Sequence, residues 1–332
     1  MVECAFDVAG IGNAIVDVLA HADDRLLASL GLAKGVMTLI DAQQADTIYG
    51  KMVPGIECSG GSVANTIAGI AALGGKTAFI GKIKADQLGE VFRHDLRNQG
   101  VAFDTPAAAD GPSTARCLVL VTPDAQRTMQ TYLGACVELG PEDIDPTVIG
   151  NAQVTYLEGY LWDPPRAKDA LRKAATIAHA AGRKVALSLS DPFCVERHRD
   201  EFRQLIHEHV DILFANEAEL TSLYQAEFNE AVGSVREKVA LAAVTRSDKG
   251  SVVIAGEQIV VQAAEPVDKV IDTTGAGDLY AAGFLYGFTQ GRDLAVCARL
   301  GGICAAEIIS HMGARPAIDL AHLVAQSGVS LG

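Results

Sequence analysis

Six short, continuous apolar runs recur along this chain with helix-like segments between them. That alternation restricts the possible fold more than any other feature. The runs are "FDVAGIG" (6–12), "KTAFIGKI" (76–83), "AQVTYLEG" (152–159), "KVALSLS" (184–190), "VDILFAN" (210–216) and "LAAVTRS" (241–247). Helical patterns cover 61–73, 86–99, 165–181, 196–209, 216–226, 276–290 and 292–310. A strand that is apolar without alternation is buried on both faces, and helices between such strands supply the crossovers of a parallel sheet. The expectation is an α/β fold, a mostly parallel central sheet flanked by helices on both faces. Two stretches break the rhythm. "AIVDVLAHA" (14–22), followed by "GVMTLID" (35–41), is extra strand material, and 114–134 reads as a hairpin turning at "TPDAQ". Extra antiparallel strands between the units of a parallel sheet predict a small sheet standing off the main body, a lid formed by about 14–41 and 112–135.

Apolar residues make up 49% of the 332, enough for a large core, and one domain with an appendage or two modest domains would accommodate it. With 27 basic against 41 acidic residues the formal charge is −14, which argues against binding nucleic acid or anionic membrane. Any phosphate-bearing ligand has to be held by a local device. Seven scattered cysteines form no CxxC and read as free thiols of a reducing compartment. The sequence shows neither a signal-peptide pattern nor an apolar run long enough to span a bilayer, so a cytoplasmic protein is expected.

Three motifs fail on inspection. "GIGNAI" (10–15) has Ile15 where a dinucleotide fingerprint needs its third glycine, and strand-like residues follow it instead of a helix. "GIAALGGKT" (69–77) has Gly75 where a P-loop needs lysine, and it leads into a strand. The histidines of "HEH" (207–209) are two residues apart and do not share a helix face.

"DTTGAGD" (272–278) is different. Strand-like "VDKVID" precedes it and helix-like "LYAAGFLYGF" follows, so the glycines sit at a helix start. The first N–H groups of a helix lack intrahelical partners and carry the positive end of the dipole, and glycine lets a ligand approach them closely. This is an anion site that needs no lysine. Asp278 there is either a helix cap or a general base, since a carboxylate beside bound phosphate makes sense when a hydroxyl lies between them. A second glycine turn, "SGGSVAN" (59–65), also opens a helix, with Asn65 one turn in and Ser62 at a capping position. Two such starts, one early and one late, favour the base.

With "ANEAEL" (215–220) and "TRSDKG" (245–250), these motifs resemble the ribokinase (PfkB) family over essentially the whole chain. Within it, "GNAIVD" (12–17), "LSLSDPF" (187–193) and "YLEGYLWDPP" (156–165) are most similar to adenosine kinases. The chain departs from those enzymes at Thr274, where they carry asparagine, and around Trp162; sugar kinases of the family share several of the features. The resemblance implies a single ribokinase-like domain over 1–332 with a β lid. It implies transfer of the ATP γ-phosphoryl group to the 5′-hydroxyl of adenosine, or alternatively to ribose, fructose or a related sugar. Asp278 would be the base and the amides of Gly275, Ala276 and Gly277 the anion hole. Asn13, Asp17, Gly60, Gly61 and Asn65 would hold the acceptor, with Tyr160 stacking on its base. Asn216, Thr245, Ser247, Gly250 and Gly277 would meet the nucleotide, and Asn216 with Glu219 would organise Mg²⁺ through water. Asp272 and Thr274 match positions near a monovalent-cation site in some relatives, although Ala317 offers no side-chain oxygen there. Arg127 is either a phosphate clamp on the lid or a solvated hairpin residue; Phe193, like Tyr160, is either a stacking or a core aromatic. Small-molecule partners and a monomer or homodimer complete the expectation.

Overall fold

The computed structural model describes residues 4–124 and 126–329. Fourteen strands are described: β1 (Phe6–Ile11), β2 (Ile15–His21), β3 (Met37–Leu39), β4 (Ile56–Gly60), β5 (Thr77–Ile80), β6 (Val101–Ala102), β7 (Ala115–Val121), β8 (Arg127–Tyr132), β9 (Ala152–Glu158), β10 (Lys184–Ser188), β11 (Ile212–Asn216), β12 (Leu241–Thr245), β13 (Ser251–Ala255) and β14 (Gln258–Gln262). The helices are α1 (Asp24–Ser29), α2 (Ala42–Tyr49), α3 (Ser62–Ala72), α4 (Gln87–Asn98), α5 (Pro146–Gly150), α6 (Pro165–Ala180), α7 (Pro192–His209), α8 (Glu217–Tyr224), α9 (Phe228–Arg236), α10 (Ala276–Thr289), α11 (Leu294–Ile309) and α12 (Leu320–Gln326).

The main sheet runs β14-β13-β12-β11-β10-β9-β1-β5-β6. It is parallel from β6 to β12, and β13 and β14 extend it as an antiparallel edge. All six apolar runs of the sequence lie in its parallel part. Side chains alternate between two cores: Val8, Val154, Tyr156 and Phe214 face the side of α3, α10 and α11, while Ala9, Ile11 and Leu157 face the side of α6, α7 and α8. Phe79, Phe92 and Phe103 close one end, with ring centroids 5.3–5.8 Å apart.

Close helix packing puts α3 and α10 side by side. A Cβ on Gly69 of α3 would lie 2.7 Å from Leu279 and 2.8 Å from Ala282 of α10. A Cβ on Gly283 of α10 would overlap the Leu300 carbonyl of α11. Helix α10 is therefore pressed between two neighbours.

The second sheet, β3-β8-β7-β2-β4, contains the off-rhythm segments. The hairpin forms between β7 and β8, with Ala125 of its turn outside the described residues. The sheet is mixed: β2 pairs parallel with β7 and β3 parallel with β8. Its strand β4 has no counterpart in the sequence-based expectation. One expectation is corrected. Residues 267–272 form no strand, because the N–H of Ile271 donates to the Ile309 carbonyl at 2.8 Å and so satisfies the end of α11. No helix among the described residues is long and apolar enough to cross a membrane.

Candidate active site

The two glycine turns meet at Asp278. Asp278 sits in the first turn of α10, and α3 presents Ser62 and Asn65 to it. Ser62 Oγ donates to Asp278 Oδ1 at 2.6 Å, Asn65 Nδ2 donates to Oδ2 at 2.9 Å, and Thr66 Oγ1 donates to the Asp278 carbonyl at 3.0 Å. Burial pushes the Asp278 carboxyl above its ordinary range, against the lowering pull of Ser62, Asn65 and Arg315. A carboxylate so raised and so held accepts a proton more readily than a solvated aspartate and keeps one orientation.

Gly275 adopts φ +79° and opens α10. The Ala276 N–H donates to the Thr273 carbonyl at 3.2 Å, so that amide is already committed. Among the described residues, the N–H groups of Gly275, Gly277 and Asp278 have no such partner, and a Cβ on Gly277 would meet nothing within 4 Å. Of the three amides expected from the sequence to form an anion hole, Gly275 and Gly277 are unpaired and Ala276 is not, and the Asp278 amide is unpaired as well.

In the second sheet, Asp17, expected from the sequence to hold the acceptor, lies in mid-strand on β2, paired with Cys58 and Cys117. Burial pushes its carboxyl up to about 6, with Arg315 and Arg127 pulling it down and Asp278 adding to the rise. A Cβ on Gly60 would overlap that carboxylate, and one on Gly61, at φ +99°, would overlap the Asn13 carbonyl. These two positions need glycine for space, and at Gly61 also for conformation. Asn13 donates from Nδ2 to Glu158 Oε1 at 2.6 Å.

Sequence reasoning missed Arg315. It comes from the loop after α11 and donates to the Ser59 carbonyl, Ser59 Oγ and the Ala64 carbonyl, each at 2.9 Å. Ser59 Oγ in turn donates to Asp95 at 2.6 Å. From the same loop, Gly313 N donates to Asp272 Oδ2 at 3.1 Å. One loop braces both glycine turns. The residues that it joins are far apart in the chain, so no local motif pointed to Arg315.

A cleft of about 1140 Å³ opens from this point along the carboxyl ends of the strands, where open α/β sheets bind ligands. Ser62, Tyr156, Asn216, Glu219, Thr245, Ser247, Gly250, Gly275, Gly277 and Asp278 are among its lining residues. Asn216 and Glu219 form a capping box on α8: Asn216 N and Nδ2 donate to the two Glu219 oxygens at 2.9 and 2.7 Å, and Glu219 N donates to Asn216 Oδ1 at 2.8 Å. Burial pushes Glu219 up to about 7. Among the described residues no group of three or more His, Cys, Asp or Glu converges to hold a metal.

Arg127 is not a solvated hairpin residue. Its side chain is 9% exposed and pairs with Asp272 Oδ2 at 2.7 Å, while Nε and Nη2 are buried without a protein partner. Asp272 Oδ1 accepts from Thr274 N and Oγ1 at 3.1 and 2.8 Å. Both Asp272 oxygens are thus taken by donors, and the residues present do not fit a monovalent cation at this carboxylate. Tyr160 is partly buried against the core under α6 and α7, and its hydroxyl donates to the Ser190 carbonyl at 3.4 Å; like Asn13, Asp17 and Asn65, it is not among the residues that line the cleft. Phe193 is 71% exposed, so it is no core aromatic, and it too is absent from the cleft lining.

Comparison with known proteins agrees with this geometry. Residues 26–320 match the family described as pfkB family carbohydrate kinase. The solved adenosine kinase of Sinorhizobium meliloti is 52% identical, with a TM-score of 0.89 over 97% of this chain and 99% of that one. A probable sugar kinase of Rhizobium etli CFN 42 is 49% identical, with a TM-score of 0.91 over 98% and 100%. The 5-dehydro-2-deoxygluconokinase of Bacillus subtilis is 27% identical across 98% of this chain and 96% of its own length. The chain belongs to the pfkB family of carbohydrate kinases, phosphotransferases that act on hydroxyl groups.

Proposed function

We propose that this kinase transfers the γ-phosphoryl group of ATP to the 5′-hydroxyl of adenosine. The observation that carries the chemistry is the raised, doubly hydrogen-bonded Asp278 carboxylate beside the unpaired amides that open α10. The acceptor hydroxyl lies between them, gives its proton to Asp278 and attacks phosphorus. The amides of Gly275, Gly277 and Asp278 receive charge that grows on the phosphate oxygens, already oriented and in a partly dry site. Arg127, with two buried nitrogens free, faces the same turn. Asn216 and Glu219 spend one lone pair on each carboxylate oxygen within their box, so they would hold Mg²⁺ through its waters; the ion neutralises phosphate charge when bound. Thr245, Ser247 and Gly250 form the nucleotide wall. The second sheet covers the acceptor, with Asp17 and Asn13 on its hydroxyls.

Adenosine is preferred over a sugar on the 52% identity to an adenosine kinase across nearly the whole chain. The deciding experiment is an ADP-release screen with adenosine, inosine, ribose, fructose and 2-keto-3-deoxygluconate. Turnover fastest with adenosine is expected; strong activity on ribose or fructose with none on adenosine refutes the nucleoside assignment and leaves the kinase mechanism standing.

A further inference from the structure

The polar groups on the acceptor side are oriented by buried carboxylates, and the orientation narrows what can bind. Glu158, at the end of β9, is 1% exposed. Its Oε2 accepts from two backbone N–H groups, Asn13 at 3.2 Å and Val63 at 3.1 Å, and its Oε1 accepts from Asn13 Nδ2 at 2.6 Å. A Cβ on Gly12 would overlap Oε2, so the approach depends on that glycine. Burial pushes the Glu158 carboxyl up to about 7 against the lowering pull of these N–H groups, so it is ionised above that pH, and an ionised carboxylate can only accept. The Asn13 amide therefore has one permitted orientation, with its NH₂ toward Glu158 and its Oδ1 free of any described protein donor. Asn65 is fixed in the same way by Asp278: Nδ2 is committed at 2.9 Å, and Oδ1 is buried without a partner. Asp17 lies against Gly60, and Gly61 lies against Asn13, so these groups share one wall.

We propose that Glu158 is a positioning residue that locks the Asn13 amide, and that the face formed by Asn13, Asn65 and Asp17 consequently presents lone pairs and selects a substrate with neutral hydroxyls there. This rests on the reading of the cleft as a kinase site. Adjacent hydroxyls of a furanose bring donors to Asn13 Oδ1, Asn65 Oδ1 and Asp17. A phosphate, carboxylate or keto oxygen in that place sets lone pair against lone pair. Neutral nucleosides and sugars are admitted on this side, and sugar acids and sugar phosphates are excluded.

The Glu158→Gln variant tests the lock. Glutamine can keep its carbonyl on the two backbone N–H groups, but its NH₂ then faces Asn13, which turns over and offers NH₂ to the substrate. Wild type, Glu158→Gln, Asn13→Ala and the double variant are assayed with adenosine and its 2′- and 3′-deoxyfluoro analogues, in which an acceptor atom replaces the donor hydroxyl. D-ribose, ribose 1-phosphate and gluconate complete the wild-type panel. Wild type should prefer one hydroxyl over its fluoro analogue by about 10–100-fold in kcat/KM, the scale of one hydrogen bond to a polar or charged group. Glu158→Gln should shrink that ratio by roughly tenfold. Introduced into Asn13→Ala it should change the ratio no further, since the effect passes through Asn13. An unchanged ratio in Glu158→Gln, or an equal change in the Asn13→Ala background, overturns the lock. Wild-type turnover of ribose 1-phosphate or gluconate in preference to the neutral acceptors overturns the selectivity even if no variant folds, and leaves phosphoryl transfer intact. Absence of turnover with every acceptor overturns the proposed function itself.

Discussion

Asp278→Asn separates the base from its structural surroundings. The carboxylate accepts from Ser62 Oγ at one oxygen and from Asn65 Nδ2 at the other. In the variant one of those atoms becomes an NH₂ donor. The neighbourhood can adjust, because Asn65 Oδ1 is buried without a partner and becomes an acceptor when the Asn65 amide turns over. The Ser62 hydroxyl still finds the remaining carbonyl. At most about one hydrogen bond is lost, about 0.5–1.5 kcal/mol net. The removed charge was itself costly, since burial raised this carboxyl, so stability at neutral pH should hold or rise slightly. Turnover should behave differently. Without a base the transferring hydroxyl keeps its proton, and kcat should fall by about 10²–10⁴, or about 2.7–5.5 kcal/mol of barrier. A coupled ADP-release assay gives kcat, and a thermal melt with calorimetric titration of a non-hydrolysable ATP analogue reports fold and nucleotide affinity. Near-normal kcat would falsify the base assignment. A drop of Tm and nucleotide affinity in step with kcat would show that the carboxylate only held the two helices together.

Three further outcomes follow from the same geometry. Burial places Asp17 near 6, and it is a much stronger acceptor when ionised than when protonated, so KM for the hydroxyl substrate should rise as pH falls below about 6, by at most roughly tenfold per unit, and Asp17→Asn should raise KM at pH 8 and abolish that dependence; a KM flat from pH 5 to 8 in wild type contradicts it. Arg315→Met should cost about 1.5–3 kcal/mol of stability, and it should also move the acid limb of the kcat/KM profile upward because Arg315 lowers both Asp17 and Asp278, whereas Arg315→Lys should restore the limb; a lower Tm with an unmoved limb reduces Arg315 to a brace. Acceptor binding should slow amide exchange in 14–22 and 114–134 together if the second sheet closes over the cleft, and protection of neither segment refutes the lid.

What the sequence disclosed depended on how local each feature is. Six of the seven parallel strands were readable because burial on both faces leaves an uninterrupted apolar run. The two glycine turns were readable because a ligand-facing helix start needs residue types that lie side by side in the chain. Strand β14 was not, since Ile259 and Val261 are exposed at 49% and 72% on a sheet edge, and Gln258 and Gln262 flank them. Residues 267–272 misled for the opposite reason: Val270 and Ile271 look like strand residues, yet they are 53% and 36% exposed and cap the end of a helix. Tyr160 was assigned to the ligand on its position at a strand end; it sits in the turn Gly159–Trp162, partly buried against the core. Glu158, Arg315 and the Arg127–Asp272 pair act across 145, 251 and 145 residues of chain, and only the folded topology brings their partners to them.

A chain of net charge −14 that is to bind ATP, as proposed, needs its cations inside, and few stand near the turn. Screening at physiological salt has a range of about 8 Å, so acidic residues spread over the surface weigh little at the turn. The nearby charges decide. Asp272 is neutralised by Arg127, and Asp17 and Asp278 are opposed by Arg315. Farther along the cleft Arg246 holds Glu217 through two bonds of 3.0 and 3.2 Å and stacks on Phe228, so it is not free to follow the phosphates. Two arginines thus face three carboxylates, so the side chains leave no surplus of positive charge at the turn, and the helix-start amides supply positive potential there. Amide dipoles cannot be titrated or drift away, and they favour charge that appears during the reaction over charge already spread through bound ATP. An acidic surface is therefore compatible with a phosphoryl-transfer site, provided that the glycine turn stays open. A side chain larger than hydrogen at position 275 or 61 closes it by strain, because both backbones lie at positive φ.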